Sequence, residues 1–225
     1  GKNLTNIRKS YKALEENTTS GNNTALGYES LTANTTGGDN VAVGSGALDA
    51  NTTASFNVAM GRNALGANIT GSRNTALGNS TLLNNTGDQN TAVGDRALNV
   101  NTTGGNNVAV GMLALGANTT GIYNTAIGVQ TLDANTTASN NTAVGYVALG
   151  ANTTGANNTA LGVSALQSNT TASNNTAIGY NAASTSTTAD NITAVGSGAL
   201  QNNSTGTDTT AVGRNTLNAN TTGDA

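Results

Sequence analysis

The seventeen residues Asn141-Thr142-Ala143-Val144-Gly145-Tyr146-Val147-Ala148-Leu149-Gly150-Ala151-Asn152-Thr153-Thr154-Gly155-Ala156-Asn157 make up one full unit of a repeat that fills the chain. With the Gly after each Ala-aliphatic pair as marker, copies align on Gly27, Gly44, Gly61, Gly78, Gly94, Gly111, Gly128, Gly145, Gly162, Gly179, Gly196 and Gly213. Ten of the eleven spacings are 17 residues. That from Gly78 to Gly94 is 16, because its loop is Asn85-Thr86-Gly87 where other copies carry Asn-Thr-Thr-Gly or Asn-Thr-Thr-Ala. The consensus is N-T-A-V-G-x-x-A-L-x-x-N-T-T-G-x-x. A thirteenth, degenerate copy comes first, with Asn6-Ile7-Arg8-Lys9-Ser10, Ala13-Leu14 and Asn17-Thr18-Thr19. A fixed period with a fixed aliphatic position separates this chain from a disordered low-complexity segment.

Seventeen residues are too few for a helical-hairpin unit, which takes about 33 or more. Gly and Asn-Thr-Thr in every copy also interrupt a helix. The apolar positions form two short stretches, T-A-V and A-L, separated by a Gly turn. Short strands with regular turns at a small period predict an all-β fold: a parallel β-solenoid, or β-roll, of about 13 coils with one 17-residue coil per repeat. At roughly 4.8 Å per coil it would form a rod of roughly 60 Å. Residues 1–21 read as a degenerate N-terminal capping or junction coil and 22–225 as a twelve-coil repeat domain, with no linker between them.

The residue before the marker Gly is always aliphatic, and the one before that is always Ala. Leu follows the Gly by four positions in eleven of twelve copies; Ala183 is the exception. The expected core is therefore Val43 with Leu48, Val110 with Leu115, Val144 with Leu149, and Val195 with Leu200. Strand residues alternate faces, so the Ala and its aliphatic neighbour point opposite ways. Both are apolar throughout, which predicts that the second face is buried against another copy of the chain. One aliphatic, one Leu and two Ala are also little apolar area with which to order a 17-residue coil. Three copies around a common axis, a homotrimer, would cover the second face, and copies could also join into a longer filament.

Asn stands four residues before the Gly in ten of twelve copies and seven after it in eleven of twelve. Asn tolerates left-handed turn conformations and bonds its own backbone. Stacked in register, its amides can also bond the coils above and below. Asn34, Asn51, Asn68, Asn101, Asn118, Asn135, Asn152 and Asn169 are the expected structural ladder. The same Asn-Thr-Thr stretches are formal N-glycosylation acceptors, a motif that the repeat produces automatically.

Asn 38, Thr 40, Gly 29 and Ala 35 make up 142 of the 225 residues, and only 8% are charged, against about 25% in an ordinary globular domain. There is no Cys, so no thiolate nucleophile, disulfide or iron–sulfur site. There is no His, so no imidazole base and no typical zinc site. A net charge of −3 with eight Lys and Arg carries no footprint for nucleic acid. No apolar run approaches a membrane span of roughly 20 residues, so no direct membrane insertion is expected. Glu29, Asp39, Asp49, Asp88, Asp95, Asp133, Asp190 and Asp208 are scattered, without an acid/base pair or a calcium loop. No catalytic, cofactor-binding or metal-binding residue is assigned, no cofactor is expected, and the chain does not read as an enzyme.

The variable positions follow the marker Gly (Tyr28, Arg62, Asp95, Arg96, Met112, Tyr146, Tyr180, Arg214) or precede the next Asn (Gly38-Asp39, Ser72-Arg73, Asp88-Gln89, Ile122-Tyr123). These are the expected solvent-facing turns, where an unknown surface ligand would make contact. Lys2, Arg8, Lys9 and Lys12 are half of the basic residues, and Glu15 and Glu16 follow them, as suits a charged terminal coil. The chain starts with Gly and has no secretory h-region, as a processed or excised segment would. Asn220-Thr221-Thr222-Gly223 is ordinary repeat, so the natural protein is expected to continue past Ala225.

Asn40-Val41-Ala42-Val43-Gly44-Ser45-Gly46-Ala47 and Asn175-Thr176-Ala177-Ile178-Gly179 resemble the [NS]-[SV]-x-A-[IV]-G-x-x-[AS] repeats in the heads of trimeric autotransporter adhesins. The Ala-aliphatic-Gly core of that pattern recurs along nearly the whole chain. The resemblance implies a left-handed parallel β-roll, three chains per head, used for attachment at a bacterial surface without enzymatic activity. The unit here is longer than the family's, about 14 residues, by the N-T-T-G insertion. The longer unit also resembles repeats in bacteriophage-type tail fibres, which are trimeric too. The leading functional expectation is a structural rod of a surface fibre or adhesin, extracellular or on the cell surface or part of a virion tail fibre. It would mediate attachment or space a binding tip. The alternatives are an ice-binding Thr-rich solenoid and a single-chain extracellular filament subunit. Against the ice-binding reading, the Thr-Thr pair of each loop splits across two faces.

Overall fold

The computed structural model describes residues 7–224; Lys2 of the expected cap lies outside them. The described residues are all-β, with no helix, and fall into two compact units, Gly1–Asn107 and Val108–Ala225. The first carries β1 (Ile7–Lys9), β2 (Thr24–Leu26), β3 (Val41–Val43), β4 (Val58–Met60), β5 (Thr75–Leu77) and β6 (Thr91–Val93). The second carries β7 (Val108–Val110), β8 (Thr125–Ile127), β9 (Thr142–Val144), β10 (Thr159–Leu161), β11 (Thr176–Ile178), β12 (Thr193–Val195) and β13 (Thr210–Val212).

Within each unit every strand pairs in parallel with the next, at the same repeat position. Thus Thr142, Ala143 and Val144 lie beside Thr159, Ala160 and Leu161. The architecture is a parallel β-solenoid of about eleven turns, with about 17 residues per turn. The 16-residue copy keeps its strand register, Thr75 beside Thr91, because the missing residue comes out of the loop.

Each strand from β2 to β13 is three residues long because the marker Gly ends it. These glycines sit at φ between +124° and +147°, a region that L side chains rarely adopt. They also stack on one another: a Cβ placed on Gly162 would come within 2.5 Å of the Gly179 carbonyl oxygen in the next coil. The chain then turns through left-handed residues two and four positions after the Gly, and each full coil carries a third further on. In the Gly145 coil the three are Val147 (φ 49°), Leu149 (φ 51°) and Asn157 (φ 59°).

The turn drives the Leu side chain inward. Leu48, Leu115, Leu149 and Leu200 are all fully buried, as expected. The four valines expected beside them are not core residues. Val43, Val110, Val144 and Val195 are half-buried and face outward, while the Ala before each is 0% exposed. The interior of each regular coil is already filled by the Leu and by two Asn side chains, so across the strand only a methyl group fits. The neighbouring positions agree with this parity. The Asn two before the strand Ala is buried on the same inner side, and the Thr or Val between them is partly exposed.

Gly162→Ala should therefore lower stability by more than about 2 kcal/mol, through backbone strain and the clash with the neighbouring carbonyl. Gly150→Ala is the control. Its added Cβ would lie 3.2 Å from the Val147 carbonyl oxygen, and its backbone is not left-handed. Urea denaturation of both variants checks the contrast; equal midpoints would contradict it.

Candidate functional site

The polar interior and the apolar exterior are the two unusual features of these units. Inside, two columns of Asn run through the coils. The expected ladder residues Asn34, Asn51, Asn68, Asn101, Asn118, Asn135, Asn152 and Asn169 are all 0% exposed. In a regular coil each amide does two things. Asn152 Nδ2 donates to Asn135 Oδ1 of the preceding coil at 3.1 Å and to the Gly155 carbonyl of its own turn at 2.9 Å. Asn51 does the same toward Asn34 Oδ1 (2.8 Å) and the Ala54 carbonyl (3.1 Å).

The second column is the Asn four before the Gly, whose recurrence is plain in the sequence but whose bonding is not. Asn158 donates its backbone N–H to Asn141 Oδ1 at 2.9 Å, and Asn141 Nδ2 reaches the Gly155 carbonyl at 2.9 Å. Gly155 O thus accepts two buried amide donors, one from each column. The same convergence recurs at Ala54, Gly71 and Ala172. Hydroxyls add a third column nearer the surface, where Thr136 donates to Thr153 O and Thr153 to Thr170 O.

The glycosylation motifs lie in the first column. The Asn34, Asn152 and Asn169 amides are buried and engaged in hydrogen bonds, so the folded coils offer these side chains to no modifying enzyme.

Outside, the aliphatic column of the sheet is open. In the second unit Ile127, Leu161, Ile178 and Val212 are 36–65% exposed. Beside it runs the position after the marker Gly, where Met112, Val129, Tyr146, Val163 and Tyr180 occupy five successive coils and are all exposed. The first unit differs there. Its residues are Tyr28, Ser45, Arg62, Asn79 and Asp95, and the last three form a polar chain. Arg62 Nε donates to Asn79 Oδ1 at 3.2 Å, and Asn79 Nδ2 donates to Asp95 Oδ1 at 2.8 Å. In the N-terminal coil Tyr11 stacks on Tyr28 (5.9 Å between ring centroids), and Lys12 pairs with Glu29 at 3.5 Å.

A shallow cavity of about 380 Å³ opens where Gly150 leaves a gap between Asp133 and Gln167. A similar one opens at Gly66, beside Asp49. Each holds a single carboxylate, and none of the paired groups needed for acid/base chemistry converge there. Among the described residues no group of three or more Asp or Glu is placed to hold a metal ion, and no helix is long and apolar enough to cross a membrane. No protein-family model, curated protein or solved structure matches the chain.

Two expectations follow from this geometry. Replacing Asn152 by Ala strips a hydrogen-bond partner from Asn135 Oδ1, Asn169 Nδ2 and Gly155 O together. It should cost about 3 kcal/mol or more, while exposed Thr154→Ala should stay within about 0.5 kcal/mol. Chemical denaturation of the two variants compares them.

The second concerns pH. Burial raises the Asp133 carboxyl above its ordinary 3.8, and does the same at Asp49, opposed in part there by the Ala50 N–H. An acid held more protonated when folded favours the folded state below its unfolded pKa. That advantage is lost as pH rises through the folded value. Asp133→Asn should therefore raise the melting temperature at pH 7 and leave it unchanged at pH 3.

Proposed function

We propose that this chain is a non-enzymatic structural segment of a surface-exposed fibre or adhesin, built from copies of itself that pack through the outward sheet face. The observation that carries the reading is the pair of exposed apolar columns, Ile127, Leu161 and Ile178 beside Met112, Val129, Tyr146, Val163 and Tyr180. Contiguous apolar surface of this extent is the mark of an interaction site. It repeats once per coil, so the face that matches it along its length is one with the same coil spacing, which a second copy supplies. The reading takes the assembly as a homotrimer of about thirteen coils per chain, extracellular, on a cell surface or in a virion tail fibre. The resemblance to adhesin-head and tail-fibre repeats supports this. Attachment, or the spacing of a tip that attaches, is the role, with an unknown surface ligand and with no part for nucleic acid or membrane insertion.

Light scattering after size exclusion should give a mass near three times 22.1 kDa. Leu161→Asp combined with Ile178→Asp, both on the outward face, should give a folded monomer with an unchanged β-type circular dichroism spectrum. A wild-type monomer, or a double variant still three chains in size, would remove the reading.

A second reading, an ice-binding solenoid, is favoured by one observation. Thr125, Thr142, Thr159, Thr176, Thr193 and Thr210 stand in register on the same outward face, each two residues before the aliphatic position. A wild-type monomer with measurable thermal hysteresis would favour it over the fibre.

A further inference from the structure

One coil of the second unit breaks the interior pattern three times. Between Gly179 and Gly196, Ala183 stands in place of Leu, Ser186 in place of the first-column Asn, and Ile192 in place of the second-column Asn; all three are 0% exposed. The regular coil before it shows what is missing. There Asn169 Nδ2 donates to Asn152 Oδ1 at 2.9 Å and to Ala172 O at 3.0 Å, and Asn158 Nδ2 reaches the same Ala172 carbonyl at 2.9 Å. One coil further on, Ser186 has no amide nitrogen to put at that junction.

Three buried atoms are left without a hydrogen-bond partner around it: Asn169 Oδ1, Asn175 Nδ2 and Ser186 Oγ. They are an acceptor, a donor and a hydroxyl that can serve as either. There is also room. Ser in place of Asn removes two heavy atoms from the interior and Ala in place of Leu removes three, whereas Ile in place of Asn leaves the number unchanged.

We propose that this coil binds a single internal water molecule, held by Asn169 Oδ1, Asn175 Nδ2 and Ser186 Oγ in the place of the missing amide nitrogen. The chemistry of the three groups selects the ligand. A cation would meet the N–H of Asn175, and an anion would meet the carbonyl oxygen of Asn169. Water donates to Asn169 and accepts from Asn175, while Ser186 takes either role. A small polar cavity with two to four partners is where buried water is found, whereas apolar cavities stay dry.

The other break in the ladder differs. At the 16-residue coil Asn68 Oδ1 is left alone. The next amide, Asn85 Nδ2, turns to Gly87 O at 2.7 Å, and Asn85 Oδ1 accepts from Asn90 and Asn101. A single acceptor with no donor beside it does not make a water site.

The test is a high-resolution crystal structure of the full chain and of its Ser186→Asn variant, with amide hydrogen exchange on both. The wild type should show one ordered water within hydrogen-bond distance, about 3 Å, of Asn169 Oδ1 and Ser186 Oγ. In the variant the new amide nitrogen should occupy that position, and the water should be gone. Exchange of the Thr187 and Thr188 amides, whose donors stack on Ser204 O, should slow by about tenfold or more as the ladder closes. A direct bond from Ser186 to Asn169 with no density between them would overturn the proposal. So would a water that persists unmoved in the variant.

Discussion

In each regular coil one backbone carbonyl, such as Gly155 O, receives the side-chain amides of two buried Asn residues, Asn152 three positions earlier and Asn141 fourteen positions earlier. Much of the solenoid depends on that junction. A 17-residue coil encloses too little space for an apolar core of ordinary size; it holds one Leu and a few methyl groups. Amides fill the remainder, and buried amides stabilise only when their donors and acceptors are paired. Pairing in turn demands that every coil put the same atoms at the same height. The 17-residue period is thus maintained from inside, by hydrogen bonding. Where a residue is deleted at Asn85 or an amide is lost at Ser186, orphaned polar atoms appear beside the change, at Asn68 and at Asn169 and Asn175.

The marker glycines impose the matching constraint on the outside of the turn. Their carbonyls and Cα atoms stack too closely for a side chain, and their φ values lie where only Gly is comfortable. The strand is cut to three residues, and the following left-handed residues swing the Leu inward. Because the interior is then full, the strand can offer it only Ala. The larger aliphatic side chain is turned out to solvent, and a thin coil of this kind produces an apolar exterior as a geometric consequence of its polar interior. The two units then differ in the column beside the aliphatic one. It is a hydrogen-bonded polar chain from Arg62 to Asp95 in the first unit and an unbroken apolar run from Met112 to Tyr180 in the second. The second unit therefore presents the broader apolar surface.

The repeat, the parallel in-register strands, the Leu core and the Asn columns are all legible in the sequence, since each depends on residue type recurring at a fixed interval. The inward Leu can be read from Leu149 and its counterparts, and the ladder from Asn152 and its counterparts. Val144 shows where that reading stops. A strand of period two establishes that Ala143 and Val144 face opposite ways, but choosing the larger side chain for the core puts Val144 inside, where the structure has Ala143. The information was present two residues away. Asn141 belongs to an interior column and Thr142 to a mostly polar one, and parity carries those assignments to Ala143 and Val144. The convergence of both columns on Gly155 O is not encoded in any local pattern, because Asn141 lies fourteen residues before it and meets it only once the coil has closed.

By itself, then, the sequence determined the coil: its length, its turn residues, its single Leu and its two Asn, all of which answer to local sterics and to a repeat that brings like residues into register. Only the tertiary structure decided which strand face is inside, how two amides share one carbonyl, and where the ladder is broken. Those outcomes depend on how much volume the closed coil leaves once the Leu and the amides have entered it, and that volume exists only after neighbouring coils have stacked.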